Sequence, residues 1–231
     1  DEGPVVVGTF DGTGYGTDGT IWGGEIMLAT TRDFQRIASL APFFHAGGDL
    51  AAREGWRLAV SLLHLCCGRE DAILHSKQLG LATEKEAASV IFQLENGLHT
   101  TISTSAGRLF DAVSALLGIR RISTYEGEAA IYLQFAAEAA EKAGKSAQAD
   151  ALLARWKADG TLQAPPAESA ITITDGRFLL TSNDLFCHLL QYRLQNVSSD
   201  LLALAFHRGL AAAIRDACKN AREMTGCSTA A

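Results

Sequence analysis

Between Thr9 and Glu25 the chain reads TFDGTGYGTDGTIWGGE, six glycines and two aspartates placed behind the apolar run Val5-Val6-Val7. Glycine gives up more conformational freedom on folding than any other residue. Such a density marks backbone that must turn sharply or be approached closely. Asp11-Gly12 and Asp18-Gly19 are strong turn dipeptides. They predict a strand over Pro4–Phe10, tight turns, and a second strand over Thr20–Thr31 with Gly23-Gly24 as a bulge or close-approach point. Gly14, Gly16 and Gly19 formally match GxGxxG. The dinucleotide reading needs a helix directly afterwards, and TIWGGEIMLATT is strand-like instead. A P-loop is absent, and no oxygen ligands recur at EF-hand spacing. Two readings remain. One is a plain hairpin with glycine supplying positive φ. The other is the same hairpin with N–H groups turned toward an anion and Asp11 aimed at a cation. Local sequence favours the plain hairpin.

The remainder of the chain is helix-rich. Arg36–Ala41 reads as a third strand, and Gly47-Gly48-Asp49 punctuates the chain. Helices are expected over Leu50–Cys66, Lys85–Glu95, Gly107–Leu117, Gly127–Ala143, Ser146–Ala158, Asp184–Gln195 and Asp200–Glu223. The second carries a capping box, Thr83 with Glu86. Thr161–Ser169, with two adjacent prolines, reads as a loop, and Ile171–Thr181 as a hairpin around Asp175-Gly176. A chain of 231 residues with 48% apolar content can bury a sizeable core. The formal charge of -6 argues against broad nucleic-acid or membrane-surface binding. No apolar run is long enough to span a membrane, and no signal-peptide pattern opens the chain. The five cysteines are odd in number and lack CxxC spacing, which fits reduced thiols in a cytoplasmic protein, with Cys66-Cys67 as packing residues. The six histidines form no metal-ligand spacing and read mostly as surface or half-buried residues.

Four further stretches change the balance at the glycines: GGDLAAREGWRLA (Gly47–Ala59), STSAGRLFDAVSALLGI (Ser103–Ile119), TYEGEAAIYL (Thr124–Leu133) and AFHRGLAAAI (Ala205–Ile214). With the opening motif, and in this order, they resemble the HypF-type carbamoyltransferases of nickel–iron hydrogenase maturation over nearly the whole chain. The resemblance implies a mixed α/β (α+β) fold of the actin/Hsp70/sugar-kinase superfamily. The chain would be a ribonuclease-H-like lobe with N-terminal antiparallel strands, then a large helical part with a β-hairpin. Residues 1–231 would form one partial domain, with 1–45 the β-rich start of the second lobe and 46–231 mainly helical. It also implies a chemistry. An upstream YrdC-like domain makes carbamoyl-adenylate from carbamoyl phosphate and ATP, and the domain represented here passes the carbamoyl group to the C-terminal cysteine of a HypE-type partner.

The resemblance assigns roles residue by residue. Asp11 becomes the catalytic, metal-binding carboxylate, for a divalent zinc or iron ion. Gly12 and Gly14 let backbone approach the nucleotide phosphate. Gly107 opens a helix whose N–H groups hold an anion, and Asp111 contacts the ribose. Gly127 bounds the nucleotide pocket, with Glu128 beside it. Without the resemblance, Arg108 and Asp111, three residues apart, read as a surface ion pair. His207 reads as a packing or hydrogen-bonding residue, and Trp22 and Trp56 as packing aromatics. The family's upstream His-x-x-x-His helix is absent, and the chain stops at CSTAA, where the family continues into a strand that completes the site. The isolated chain is therefore expected to lack transfer. An O-carbamoyltransferase of natural-product biosynthesis and a non-catalytic docking fragment stand as alternatives. GRLFDAVSALLG and YEGEAA speak against the first.

Overall fold

The computed structural model describes residues 3–159 and 177–231. Its strands are β1 (Val5–Tyr15), β2 (Ile21–Ala29), β3 (Phe34–Leu40), β4 (Phe43–Ala46), β5 (Thr100–Ser103) and β6 (Phe178–Leu180). They form one mixed sheet in the order β4-β5-β2-β3-β6, with β1 also paired to β2. The helices are α1 (Asp49–Arg53), α2 (Gly55–Gln78), α3 (Glu84–Glu95), α4 (Ala106–Leu116), α5 (Glu128–Lys142), α6 (Ser146–Asp159), α7 (Ser182–Leu194) and α8 (Ser199–Thr225).

β1 and β2 form the expected antiparallel pair, but Asp11-Gly12 does not turn the chain. The turn lies at Gly16–Thr20, closed by Gly16 N–H to Thr20 O at 2.9 Å. Asp11-Gly12 instead sits in a bulge within β1. Phe10 pairs with Gly24 and Gly14 with Trp22, so Asp11, Gly12 and Thr13 together face Gly23. The dipeptide suits both structures, and the extended pairing of the flanking residues decides for the bulge. Along β2, β3 pairs antiparallel and β5 meets Ile21 in parallel through Ser103. β4 pairs antiparallel with β5. Sequence reading missed both of these strands, because four residues such as FFHA or TTIS are too few for a period-two signal. β6 runs parallel to β3, with Ala38 opposite Phe178. The first arm and turn of the expected hairpin, and the proline loop before it, lie outside the described residues. The last residues run beside β1, with Val6 N–H donating to Thr229 O and Ala231 N–H to Val6 O.

The expected helix at Leu50 breaks at Glu54 into α1 and α2. α2 continues past Cys66 to Gln78, kinked at Gly68 where φ is +77°. The α3 capping box is present as read: Thr83 Oγ1 accepts from Glu86 N–H, and Glu86 Oε2 accepts from Thr83 N–H. The apolar face of α4 is buried as its spacing predicts, at Leu109, Val113 and Leu116, with Leu117 just beyond. This face packs against α2, whose Leu58, Leu62 and Leu63 are fully buried, with Phe186 of α7 and Phe206 of α8 completing the core. His207 hydrogen-bonds the Ala203 carbonyl and packs edge-on against Phe110, a packing role as expected.

The cysteine reading is corrected. Cys66 is not a free packing thiol; it is disulfide-bonded to Cys187, tying α2 to α7 across a separation of 121 residues. Two half-cystines so far apart in sequence leave no local spacing signal. Neighbouring Cys67 remains a thiol, and burial pushes it up to about 12, which makes it unreactive. A disulfide typically contributes about 2–4 kcal/mol of stability. Cys187→Ser should therefore lower the denaturant midpoint, and reductant should lower that of the wild type likewise. A midpoint indifferent to both contradicts the bond.

Candidate functional site

The Asp11 bulge meets the N-terminus of α4. Ser105 caps that helix: its Oγ accepts from Arg108 N–H at 3.1 Å, and its own proton is shared between the carbonyls of Gly12 and Asp11. A single buried hydroxyl thus joins strand bulge to helix. Gly107 is the second residue of α4 and does not open it. It is glycine for a different reason: a Cβ there would lie 2.6 Å from Gly12 Cα, so the two backbones touch. Across the bulge, Gly23 has φ +150°, and a Cβ on it would meet the Asp11 carbonyl at 2.6 Å. Two backbones and the Ser105 hydroxyl therefore fix the Asp11 main chain, while its exposed side chain keeps one oxygen on Gly12 N–H at 2.5 Å.

Asp111 lies one turn further along α4. The surface reading of Arg108–Asp111 is corrected: their side chains are only 9% and 6% exposed, with Nη2 2.9 Å from Oδ2. The gap is that of an ion pair but without hydrogen-bond alignment. Among the described residues Asp111 Oδ2 and Arg108 Nε have no hydrogen-bond partner. Gly55 at the start of α2 packs on the Asp111 backbone, and Arg108 Nη1 donates to Ala52 O of α1, so α1 and the first residue of α2 lie against the pair. Burial pushes Asp111 up from 3.8 to about 6, and Arg108 only partly offsets it. The folded state then holds this proton more tightly than the unfolded chain. The stability it contributes is complete below the ordinary value and is lost as pH rises through about 6, amounting to about 3 kcal/mol. A carboxyl NMR titration should find the Asp111 midpoint near 6; an ordinary midpoint contradicts this burial. Beside the pair, burial and the Arg108 charge hold His45 of β4 below the usual imidazole value.

Under the bulge lies a buried acid that sequence reading did not single out. Glu25 is 1% exposed, and its Oε2 accepts from Gly23 N–H and Gly24 N–H, each at 2.7 Å. Its Oε1 accepts from Thr104 Oγ1 at 2.5 Å and Arg36 Nη2 at 2.8 Å. Arg36 lies over the Trp22 ring and also pairs with Asp18. The anion held by this glycine pair is the protein's own carboxylate. The signal was legible in part, since an acid directly after Trp-Gly-Gly in a buried strand needs partners. Ser105 was also missed, although a serine before GRLFD is an N-cap pattern.

The structure brings Asp11, Gly12 and Gly107 together and places Asp111 on the same helix. It holds Gly14 in the ladder opposite Trp22. Gly127 caps α5 at φ +77°, with open space where a Cβ would stand. Glu128 is turned into its own loop, accepting from Thr124 N–H and Oγ1 and pairing with Arg120 at 3.0 Å. Those donors hold its carboxyl below the ordinary value, the Thr124 N–H foremost. A divalent ion needs several converging ligands. No group of three or more His, Cys, Asp or Glu side chains converges among the described residues. Asp11 alone does not fit a zinc or iron ion.

Three comparisons bear on this arrangement. Residues 7–231 match the family model for the carbamoyltransferase Kae1-like domain, second subdomain. The chain is 43% identical over 130 residues to the probable carbamoyltransferase HypF of Methanocaldococcus jannaschii, covering 56% of this chain and 17% of that protein. It is 40% identical over 129 residues to carbamoyltransferase HypF of Rhizobium leguminosarum bv. viciae, covering 56% and 16%. A crystal structure of full-length HypF in the phosphate- and nucleotide-bound form shares the fold, with TM-score 0.76 and 22% identity over 100% of this chain and 27% of that one. The crystal structure of T. kodakarensis HypF gives TM-score 0.71 and 24% identity over 99% of this chain and 27% of that one. The chain thus spans about a sixth of the curated relatives it matches. The fold is the mixed α/β fold of the HypF Kae1-like domain, and the chain belongs to the HypF carbamoyltransferase family, in the second subdomain of that domain.

Proposed function

We propose that this chain forms one side of a carbamoyl-transfer site, as a single partial domain of a longer enzyme. In that enzyme carbamoyl-adenylate, made from carbamoyl phosphate and ATP, gives its carbamoyl group to the C-terminal cysteine of a HypE-type partner. The observation that carries the reading is the meeting of the Asp11-Gly12 bulge with the N-terminus of α4, one turn from the buried Asp111. The nucleotide-bound state of the full-length HypF structure supports a nucleotide as the ligand.

In the transfer, sulfur bonds to the carbamoyl carbon and the bond from that carbon to the adenylate phosphate oxygen breaks. AMP leaves with the electron pair, and the thiol proton passes to solvent. The first turn of α4 offers backbone N–H groups and the positive end of its dipole to the phosphate. Gly12 leaves room for that approach. The unused capacity of Asp111 suits ribose hydroxyls, and Gly127 leaves open space at the start of α5. Asp11 presents an acceptor to the polar N–H or S–H donors of the reactants. Gly14 and Glu128 act on the site only through the backbone they hold. The cytoplasm is the compartment this reading implies. The Cys66–Cys187 bond is the observation that argues against a permanently reducing one.

The ribose assignment has a direct test. Losing hydrogen bonds to a charged group costs about 1.5–3 kcal/mol each, so Asp111→Ala in the intact carbamoyltransferase domain should weaken binding of ATP or carbamoyl-adenylate about tenfold or more. Calorimetric titration reads it, and unchanged affinity removes Asp111 from the site.

A further inference from the structure

We propose that Glu25, locked in place by Thr104 and Arg36, is the positioning residue of the Asp11 site. The inference rests on the reading of Asp11 as a site residue and adds what holds it. Glu25 grips the bulge from two directions. Through Oε2 it fixes the Gly23 and Gly24 amides, and Gly23 is the backbone against which the Asp11 carbonyl packs. Through Oε1 it fixes the Thr104 hydroxyl, and the next residue, Ser105, bonds the carbonyls of Asp11 and Gly12. Both walls of the bulge therefore depend on one carboxylate.

The carboxylate itself has little freedom. Arg36 Nη2 donates to Glu25 Oε1 at 2.8 Å and to Thr104 Oγ1 at 2.9 Å, closing a three-membered ring of contacts. The guanidinium lies 4.0 Å over the Trp22 ring, and its Nη1 pairs with Asp18 Oδ2 at 3.2 Å. Asp18 in turn accepts from Thr20 and from the Trp22 indole, so the Gly16–Thr20 turn is tied into the same assembly. Both Glu25 oxygens and the Thr104 hydroxyl are bonded, and among the described residues only Arg36 Nε in this network lacks a partner. Such a network favours one geometry, and a site placed on it inherits that geometry. Glu25 has no acceptor left for a reactant, since its two oxygens already take four donors, from Gly23, Gly24, Thr104 and Arg36.

The experiment uses the full-length enzyme with ATP, carbamoyl phosphate and the thiol-bearing partner. Thr104→Val removes the hydroxyl with little change of volume, and Thr104→Ser retains it. Misplacing a reacting group by a fraction of an ångström to an ångström costs up to about a hundredfold in rate, so Thr104→Val should lower kcat by about tenfold or more. KM should hardly change, and Thr104→Ser should transfer at close to the wild-type rate with its melting temperature near wild type, while Thr104→Val loses some stability with the buried donor. A purely structural hydroxyl would lower the melting temperature and leave kcat per folded molecule unchanged. If Thr104→Val does not fold, Arg36→Lys carries the same expectation, because lysine cannot bridge Glu25, Thr104 and Asp18 together. Asp11→Asn serves as the control. Normal kcat in the network variants with a defective Asp11→Asn overturns the positioning role alone. Normal kcat in Asp11→Asn overturns the reading beneath it, and the positioning role with it.

Discussion

Gly107→Ala should reduce carbamoyl transfer by about a hundredfold, whereas Gly12→Ala should leave the fold intact. The two glycines touch, yet they are glycine for different reasons. The Cβ of an alanine at 107 would lie 2.6 Å from Gly12 Cα and 3.4 Å from Gly12 N. Neither atom belongs to a side chain that can swing away, so α4 must move off the bulge by a substantial fraction of an ångström. Overpacking of that kind costs about 1–3 kcal/mol of stability. The larger effect is on the reaction, because displacement of a positioned group by about 1 Å costs on the order of a hundredfold in rate. The Cβ of an alanine at 12 would meet nothing within 4 Å. Gly12→Ala should fold like the wild type, and any loss it shows must come from what approaches the bulge from outside. Paired measurements of melting temperature and transfer rate separate the cases. Equal tolerance at both positions contradicts the packed joint between β1 and α4.

The same joint shows how far the sequence could be read. The glycine density at Thr9–Glu25 correctly marked backbone under close approach, and Gly23-Gly24 were placed at such a point. What the glycines approach was not legible. Gly107 is separated by 95 residues from Gly12, its contact, and no local pattern encodes that meeting. Asp11-Gly12 misled because turn and bulge ask for the same residues; the choice between them lies in the pairing of Phe10 and Gly14 across β2. α4 was read well because its apolar face repeats at helical spacing, yet that spacing says nothing of burial on the opposite face. α1 and the first residue of α2 lie against that face and turn an apparent surface pair into a buried one. The Cys66–Cys187 bond escaped for the same reason as the glycine joint, distance along the chain. Resemblance supplied the roles, while the structure sorted them. The structure brings Asp11, Gly12 and Gly107 into contact and puts Asp111 one turn along the same helix, while Glu128 is committed to its own loop.

Asp11→Asn tests the central claim most directly. The substitution keeps size and the acceptor oxygen but removes the charge, and the exposed position of Asp11 leaves the fold without a reason to change. Removing one charge-bearing group from a preorganised site costs about 10²–10³ in rate. The measurement is made on the full-length enzyme with ATP, carbamoyl phosphate and the thiol partner. Intact mass of the partner reports the added carbamoyl group, and pyrophosphate release reports formation of carbamoyl-adenylate. Asp11→Asn should release pyrophosphate at the wild-type rate while the partner gains its carbamoyl group at least about a hundredfold more slowly. Transfer at the wild-type rate would contradict the account and leave Asp11 as no more than the residue that shapes a bulge.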